Sequence, residues 1–458
     1  MTVADTSYMK EKPVLSLLLS MGIPMMLSML INSLYNIVDG IFVARMSEDA
    51  MMAISLVYPV QNLLHSIAVG FGVGTNAVIA IFLGSRKGDA ASSAASQGIL
   101  LNLCHGLLFM VFGILFMRPF LNMFTSNETV IAYGMQYGII VLCFSMIHTT
   151  ELSFEKIFQS VGRMKTSMIS LGSSCMINII LDPLLIFGIG PFPALGVAGA
   201  AVATVFAQMF VFILFIFAIR KRHPLYRGLK LTEPRPFQYY TQIIRIGLPL
   251  SLQDMLFSCC SMLIARFVAV YGDGAVAAQK VGTQVESLSW MAADGFMAAI
   301  NAFISQNYGA GQLDRVKAGY RSIMKIVLIW GSLCTLLLVF LPGPIFRIFL
   351  NDDAVLPIGI DYLRIMGFSQ LFMCAEITTA GAFGGLGNTL PPSSESILLT
   401  CMRIPLLLIL TKTPLGLSGI WWSISISSIL KGIVLVSWYL IYQRRLLSAS
   451  ASSADIRP

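Results

Sequence analysis

The feature that most constrains this chain is a repeat. The stretch from Gly22 to Asp89 is written again, without a gap, 225 residues further on. Gly22-Ile23-Pro24 returns as Gly247-Leu248-Pro249, and Phe42-Val43-Ala44 as Phe267-Val268-Ala269. Gly70, Asn76, Gly84 and Asp89 return as Gly295, Asn301, Gly309 and Asp314. The same offset carries Pro119, Tyr137, Glu151 and Gly162 to Pro344, Tyr362, Glu376 and Gly387. Chance does not align Gly, Pro and Asp at one spacing over such a length. The period is too long for a solenoid. It predicts two homologous halves, related as parallel repeats.

Both halves are apolar. The chain is 56% hydrophobic and 11% charged, against roughly 25% charged residues in a soluble domain. Mean hydropathy is +0.80, which excludes a soluble class. A transmembrane helix needs about 20 mostly apolar residues. Twelve such runs are present, near 14–42, 50–82, 92–117, 130–157, 166–187, 195–219, 239–271, 275–306, 317–341, 355–384, 394–412 and 418–442. The expected fold is therefore an all-α membrane protein of twelve transmembrane helices, in two six-helix lobes related by a pseudo-twofold axis. The first run begins after Lys12 and shows no small-residue cleavage site, so it reads as a span and not as a removable signal. The eight cysteines all lie inside apolar runs, with no metal spacing or disulfide framework.

The formal net charge of +8 does not point to nucleic acid, because the basic residues sit in short loops between apolar runs. Arg86, Lys87, Arg163, Lys165, Arg315 and Lys317 fall on one side, together with Arg220, Lys221 and Arg222. The other side holds only Arg45, Arg118, Arg347 and Lys412 among its basic residues, and acids such as Glu48, Asp49 and Glu128. The first side is therefore cytoplasmic, with both termini inside. The expected domains are an N-terminal lobe at 1–221, a basic, proline-containing linker at 222–238, a C-terminal lobe at 239–447 and a disordered tail at 448–458.

Charges inside a bilayer are costly and tend to face a cavity. They are few here. Tyr35, Asn36 and Asp39 share a polar face of helix 1, and Asn178 and Asp182 share a face of helix 5 at i, i+4. Counting along the helices brings Asp39, Asn178, Asp182 and Thr204 to similar depth in the outer half of the first lobe. Two carboxylates, an amide and a hydroxyl make a hard-oxygen site, suited to a small cation such as Na⁺ or to one shared proton. The plainer alternatives are that Asp182, followed by Pro183, caps or kinks a helix end, and that Asp39 lies in a loop. In the second half Asp39 maps to Ile264 and Asp182 falls near Arg403, so the cluster is not duplicated. Helices 7 and 8 instead carry Asp254, Lys280, Gln284, Glu286, Met291 and Asp294, candidates for lining a substrate cavity; an ion pair of Lys280 with Glu286 or Asp294 is the competing reading. Glu151 and Glu376 are a repeat-related pair of intramembrane acids, with either a functional role or an inter-helix lock. Arg266, His65, His105, His148, Glu155 and Lys431 complete the intramembrane ionisable set. The 26 methionines suit a promiscuous apolar pocket, although any one of them is more simply packing. No phosphate-binding loop, nucleophile elbow or metalloprotease motif is present, so no enzyme activity or direct use of ATP is expected.

Several stretches resemble one family. Gly22-Ile23-Pro24, Leu34-Tyr35-Asn36-Ile37-Val38-Asp39-Gly40, Asn178-Ile179-Ile180-Leu181-Asp182-Pro183 and Gly196-Val197-Ala198-Gly199, running on to Thr204, are similar to the multidrug and toxic compound extrusion (MATE) transporters of bacteria. The resemblance spans residues 13–443. It implies two lobes around a central cleft, in the cytoplasmic membrane, exporting organic cations and drugs by antiport with Na⁺ or H⁺. It implies no cofactor, a monomer, and a coupling site at Asp39, Asn178, Asp182 and Thr204 lined by Tyr35. Where several relatives carry a glutamate on helix 7, this chain has Phe257, and Asp254 is the nearest acid. The alternative is a flippase for a lipid-linked precursor of the same superfamily, though the few intramembrane basic residues argue against the cationic cavity such a protein needs.

Overall fold

The computed structural model describes residues 8–222, 237–350 and 352–454, except for the side chains of 34–37, 39–41, 43, 44, 219–222 and 449–454. Among the described residues the chain forms sixteen helices and no strand. They are α1 (Tyr8–Glu11), α2 (Val14–Ala44), α3 (Glu48–Gly84), α4 (Gly88–Asn122), α5 (Glu128–Cys143), α6 (Ser145–Ser160), α7 (Met164–Phe187) and α8 (Val197–Arg222). After the linker come α9 (Gln238–Ala269), α10 (Asp273–Gly309), α11 (Leu313–Phe340), α12 (Pro342–Phe349), α13 (Leu356–Gly385), α14 (Leu390–Cys401), α15 (Arg403–Leu410) and α16 (Leu417–Ala454).

These helices account for the twelve apolar runs. Nine spans are long and apolar enough to cross a membrane, and the bent pair α5/α6 makes a tenth, among the described residues. The remaining two, α10 and α13, are as long but less apolar, being richer in Gly, Ser, Thr and Gln. They pack on each other along their length: Gly282 lies against Tyr362, Gly381 against Met297, and Gly385 against Asn301 and Ile304. In each close contact a glycine on one helix leaves room for a larger side chain or the backbone of the other.

Two spans are broken where single unbroken runs were expected. The fourth bends by 48° at Phe144. There the Ser145 hydroxyl donates to the Leu142 carbonyl and to the Gly106 carbonyl of α4, both at 2.7 Å, and so competes with the helix's own ladder. The eleventh breaks at Met402 between α14 and α15. Pro405 has no N–H to give to the Cys401 carbonyl one turn back. Helix α16 runs on to Ala454. Extending a formed helix adds one hydrogen bond per residue without a new nucleus, so an Ala/Ser segment can follow on. Residues 455–458 lie outside the described set, as does the linker at 223–236.

The chain gathers into two compact units, Leu27–Ser251 and Tyr8–Met26 with Leu252 onward. Each unit takes one half-helix from the opposite repeat, and each changeover falls two residues after an equivalent proline, Pro24 in α2 and Pro249 in α9. The contacts inside the units are equivalent as well. Gly134 packs on Leu121 in the first unit, as Gly359 packs on Phe346 in the second, 225 residues on. Gly113 meets Leu142, whereas at the same two positions Leu338 meets Gly367: the glycine and leucine have changed sides. The loops agree too. Gly162 and Gly387 adopt φ +75° and +72°, and Arg86 holds a left-handed φ of 61° where the second copy has Gly311 at 73°.

Candidate functional site

Helices α7 and α8 approach at backbone distance. Gly199 is what permits this, since a methyl group there would lie 2.4 Å from the Leu185 carbonyl oxygen. The Gly/Ala-rich start of α8 thereby brings Thr204 against the polar face of α7. Asp182 is fully buried and Asn178 is 2% exposed. With its amide turned to satisfy both neighbours, Asn178 donates to Asp182 Oδ2 at 2.7 Å and accepts from the Thr204 backbone N–H at 3.1 Å. The Thr204 hydroxyl donates to the Ala200 carbonyl at 3.0 Å. Helix α7 runs on past Pro183 to Phe187 and ends in the left-handed Gly188, so Asp182 sits inside the helix and does not cap its end. A carboxylate taken fully out of water costs far more than a neutral group unless it is paired or neutralised. The three residues together thus form a buried, oxygen-rich site that can respond to a small cation or a proton. Asp39 lies within α2, five residues before its end; its side chain and that of Tyr35 lie outside the described residues. Among the described residues no three His, Cys, Asp or Glu side chains gather in metal-binding geometry.

The second unit is built differently at the equivalent positions. Arg403 stands where Asn178 stands, and Leu407 where Asp182 stands. Arg403 is buried and donates from Nε to Ser427 Oγ at 3.1 Å and from Nη2 to Ser428 Oγ at 3.0 Å. Glu286 is 8% exposed. It accepts from the Tyr362 hydroxyl at 2.9 Å and from Gln370 Nε2 at 3.4 Å, and Tyr362 also meets Thr283 at 3.1 Å. The first unit holds the neutral counterpart of this contact, Gln61 to Tyr137 at 3.5 Å. Lys280 is exposed and makes no ion pair with Glu286 or Asp294 among the described residues. Asp254 is exposed on α9, and Gln284, Met291 and Asp294 are half-buried on α10. Glu286 is thus committed to α13 inside its unit, and the other four cavity candidates lie on more open faces.

The repeat-related acids have diverged. Glu376 lies 3.9 Å from Lys431 Nζ, which donates to Ser396 Oγ at 2.8 Å. Glu151 is half-buried, with Glu155 as its charged neighbour. Sequence reasoning overlooked Glu395, 5% exposed and close enough to Glu376 and Lys431 to interact electrostatically. Its signal was faint: an acid between serines at the start of an otherwise apolar run.

Comparison with known proteins picks out the same two halves. The MatE family description matches residues 24–184 and 249–409, two segments displaced by 225 residues. A probable multidrug resistance protein NorM of Thermotoga maritima is 28% identical over 407 residues, covering 88% of this chain and 87% of its own. An FAD transporter of Shewanella oneidensis is 26% identical over 460 residues, covering 98% and 99%. The multidrug export protein MepA of Staphylococcus aureus is 23% identical, covering 96% of each chain. Among solved structures, a MATE transporter aligns with a TM-score of 0.90 at 23% identity, covering 97% of this chain and 99% of its own. A transporter of the MOP superfamily from Pyrococcus furiosus aligns at 0.89 and 22%, with the same coverage. At these identities the solved structures speak to the fold alone.

Proposed function

The chain is a member of the MatE family of multidrug efflux transporters, and on that premise we propose that it exports small organic cations and drugs from the cell by antiport against an inward Na⁺ or H⁺ gradient. The observation that carries this reading is the buried Asn178–Asp182–Thr204 contact in the first unit, with Arg403 and Leu407 in its place in the second. Asp39, which lies within α2, is assigned the same role by its resemblance to the family motif. Antiport requires that the driving ion and the cargo favour different conformations. A carboxylate site does this when its occupied and empty states hold α2, α7 and α8 differently. The protein acts as a monomer in the cytoplasmic membrane, and the distribution of basic loops supports both termini lying inside.

A second reading of the cargo has its own support. The relative described as an FAD transporter spans 98% of this chain, so an anionic dinucleotide is the competing substrate class.

The test is efflux from proteoliposomes loaded with ethidium or with FAD, under separately imposed Na⁺ and H⁺ gradients. Asp39→Asn and Asp182→Asn each remove a charge and nearly keep the shape. Each is expected to lower gradient-driven efflux about 10- to 100-fold with normal insertion. If both transport normally while Asp254→Asn is inactive, coupling resides in the second unit and the assignment is wrong. FAD efflux without ethidium efflux would replace the organic-cation reading.

A further inference from the structure

The inner part of the first unit holds a line of titratable side chains that the coupling site leaves unused. His148, Glu151 and Glu155 stand at i, i+3 and i+7 on one face of α6, leading toward its cytoplasmic end at Ser160. At the top of the line, His65 of α3 meets His148. Their Nδ1 and Nε2 atoms are 3.3 Å apart and the rings stack with centroids at 5.5 Å. His65 is exposed although it lies midway along its span, and an imidazole at that depth belongs to water and not to lipid. The second ring nitrogen of His148, Nδ1, is buried and has no hydrogen-bond partner. At the lower end, Glu155 accepts from Gln159 Nε2 at 2.5 Å and lies 3.7 Å from Lys156 Nζ, which donates to Gln159 Oε1 at 3.2 Å. Lys156 has room because Gly72 of α3 faces its stem.

Packing does not require this line. The second unit joins the equivalent helices with Trp290, Met373, Ala380, Gly381 and Gly384 at the positions of His65, His148, Glu155, Lys156 and Gln159. Even the Gly72–Lys156 contact recurs there as Met297 on Gly381. Glu151 recurs as Glu376, but the polar groups on either side of it do not, and the continuous line found only in the first unit indicates a role beyond holding helices together.

We propose that this line conducts the coupling proton from the open face of His65 toward the cytoplasm, so that the driving ion is H⁺. The inference rests on the antiport reading above and deepens it. A proton arrives on the free ring nitrogen of His65, and the shared proton moves to His148 Nε2. No direct hydrogen bond joins His148 Nδ1 to Glu151, so its proton passes by way of a water to the Glu151 carboxylate one turn along α6. Each imidazole gains and loses one proton and ends neutral, with its tautomer exchanged. Glu151 and Glu155 are one turn apart, about 5–6 Å between Cβ atoms, a gap one water bridges. Lys156 balances Glu155, so no uncompensated charge is left at the exit. Titratable groups on neighbouring helices include His105 of α4, edge-on to Phe71 and Phe109, Cys104 of α4, Tyr133 and Tyr137 of α5, and on α7 Asp182 of the coupling site and Cys175, whose charge would interact with Glu151. Among described side chains α8 brings none. No third ligand joins the two histidines to make a metal site.

The experiment uses the full-length protein in proteoliposomes with ethidium as cargo and a pH-sensitive dye in the lumen. His65→Gln with His148→Gln keeps an inter-side-chain hydrogen bond but removes titration, and Glu151→Gln keeps shape. Both variants are expected to bind ethidium with unchanged Kd and to lose proton-driven efflux and the matching luminal pH change about tenfold or more. Wild-type transport is expected to slow in D₂O. The proposal is overturned if either variant moves ethidium and protons at the wild-type rate, or if the wild type runs on a Na⁺ gradient alone. The latter result leaves antiport standing. No efflux by the wild type under either gradient overturns both readings.

Discussion

At the scale of single residues, the two units put different chemistry on equivalent backbone positions. Asn178 becomes Arg403, and Gln61 becomes Glu286, while the tyrosine each of the latter pair faces is kept. This gives a controlled comparison. Tyr362→Phe removes a 2.9 Å donor from a buried carboxyl group, leaving the longer Gln370 contact. It is expected to destabilise the protein by about 1.5–3 kcal/mol. Tyr137→Phe removes a 3.5 Å contact to a neutral amide and should cost no more than about 0.5 kcal/mol. Thermal unfolding of the purified variants in one detergent measures the difference. Equal effects would mean that the Glu286 contact is no stronger than its neutral counterpart. The amide of Gln61 and the carboxyl of Glu286 were legible in the sequence; that each meets a tyrosine from a helix 76 residues away was not.

At the scale of helices, glycine placement sets which backbones touch. Gly113 of α4 faces Leu142 of α5, and the second unit fills the same contact with Leu338 of α11 and Gly367 of α13. A methyl group at Gly113 would fall 2.4 Å from Leu142, so Gly113→Leu alone overpacks the interface. The expected cost is about 1–3 kcal/mol. Adding Leu142→Gly recreates the second unit's arrangement and should restore most of the loss, a coupling that a double-mutant cycle on thermal stability reads directly. Additive destabilisation would show that the two contacts are not equivalent. The breaks at Phe144 and Met402 belong to this scale too. Pro405 was visible as a helix breaker, whereas the hydroxyl of Ser145 acts only because Gly106 of α4 presents a carbonyl to it.

At the scale of the whole molecule, the sequence repeat and the compact units do not share boundaries. The half-helices before Pro24 and Pro249 are exchanged, so neither half of the sequence contains a complete unit. The expectation for sidedness rests on the basic loops and is independent of that exchange. A cysteine introduced at Arg227 or Lys230 in the linker, in a background with the eight native cysteines replaced, is expected to react in intact cells only with a membrane-permeant thiol reagent. Labelling by an impermeant reagent from outside would reverse the assignment of both termini to the cytoplasm.

The sequence by itself determined the class, the number of spans and the twofold repetition. Those rest on local hydropathy and on a fixed offset, and neither needs a third dimension. It also marked Asn178, Asp182 and Thr204, because i, i+4 spacing and depth along a helix follow from helix geometry alone. Only the tertiary structure decided which polar groups satisfy one another: Glu286 with Tyr362 and not Lys280, Arg403 with two serines, His65 with His148. Those pairings depend on rotation and close approach of helices far apart in the chain, set by glycines such as Gly199, Gly72 and Gly106. A one-dimensional pattern records which residues are polar, but which side chain desolvates which is settled when the backbones pack.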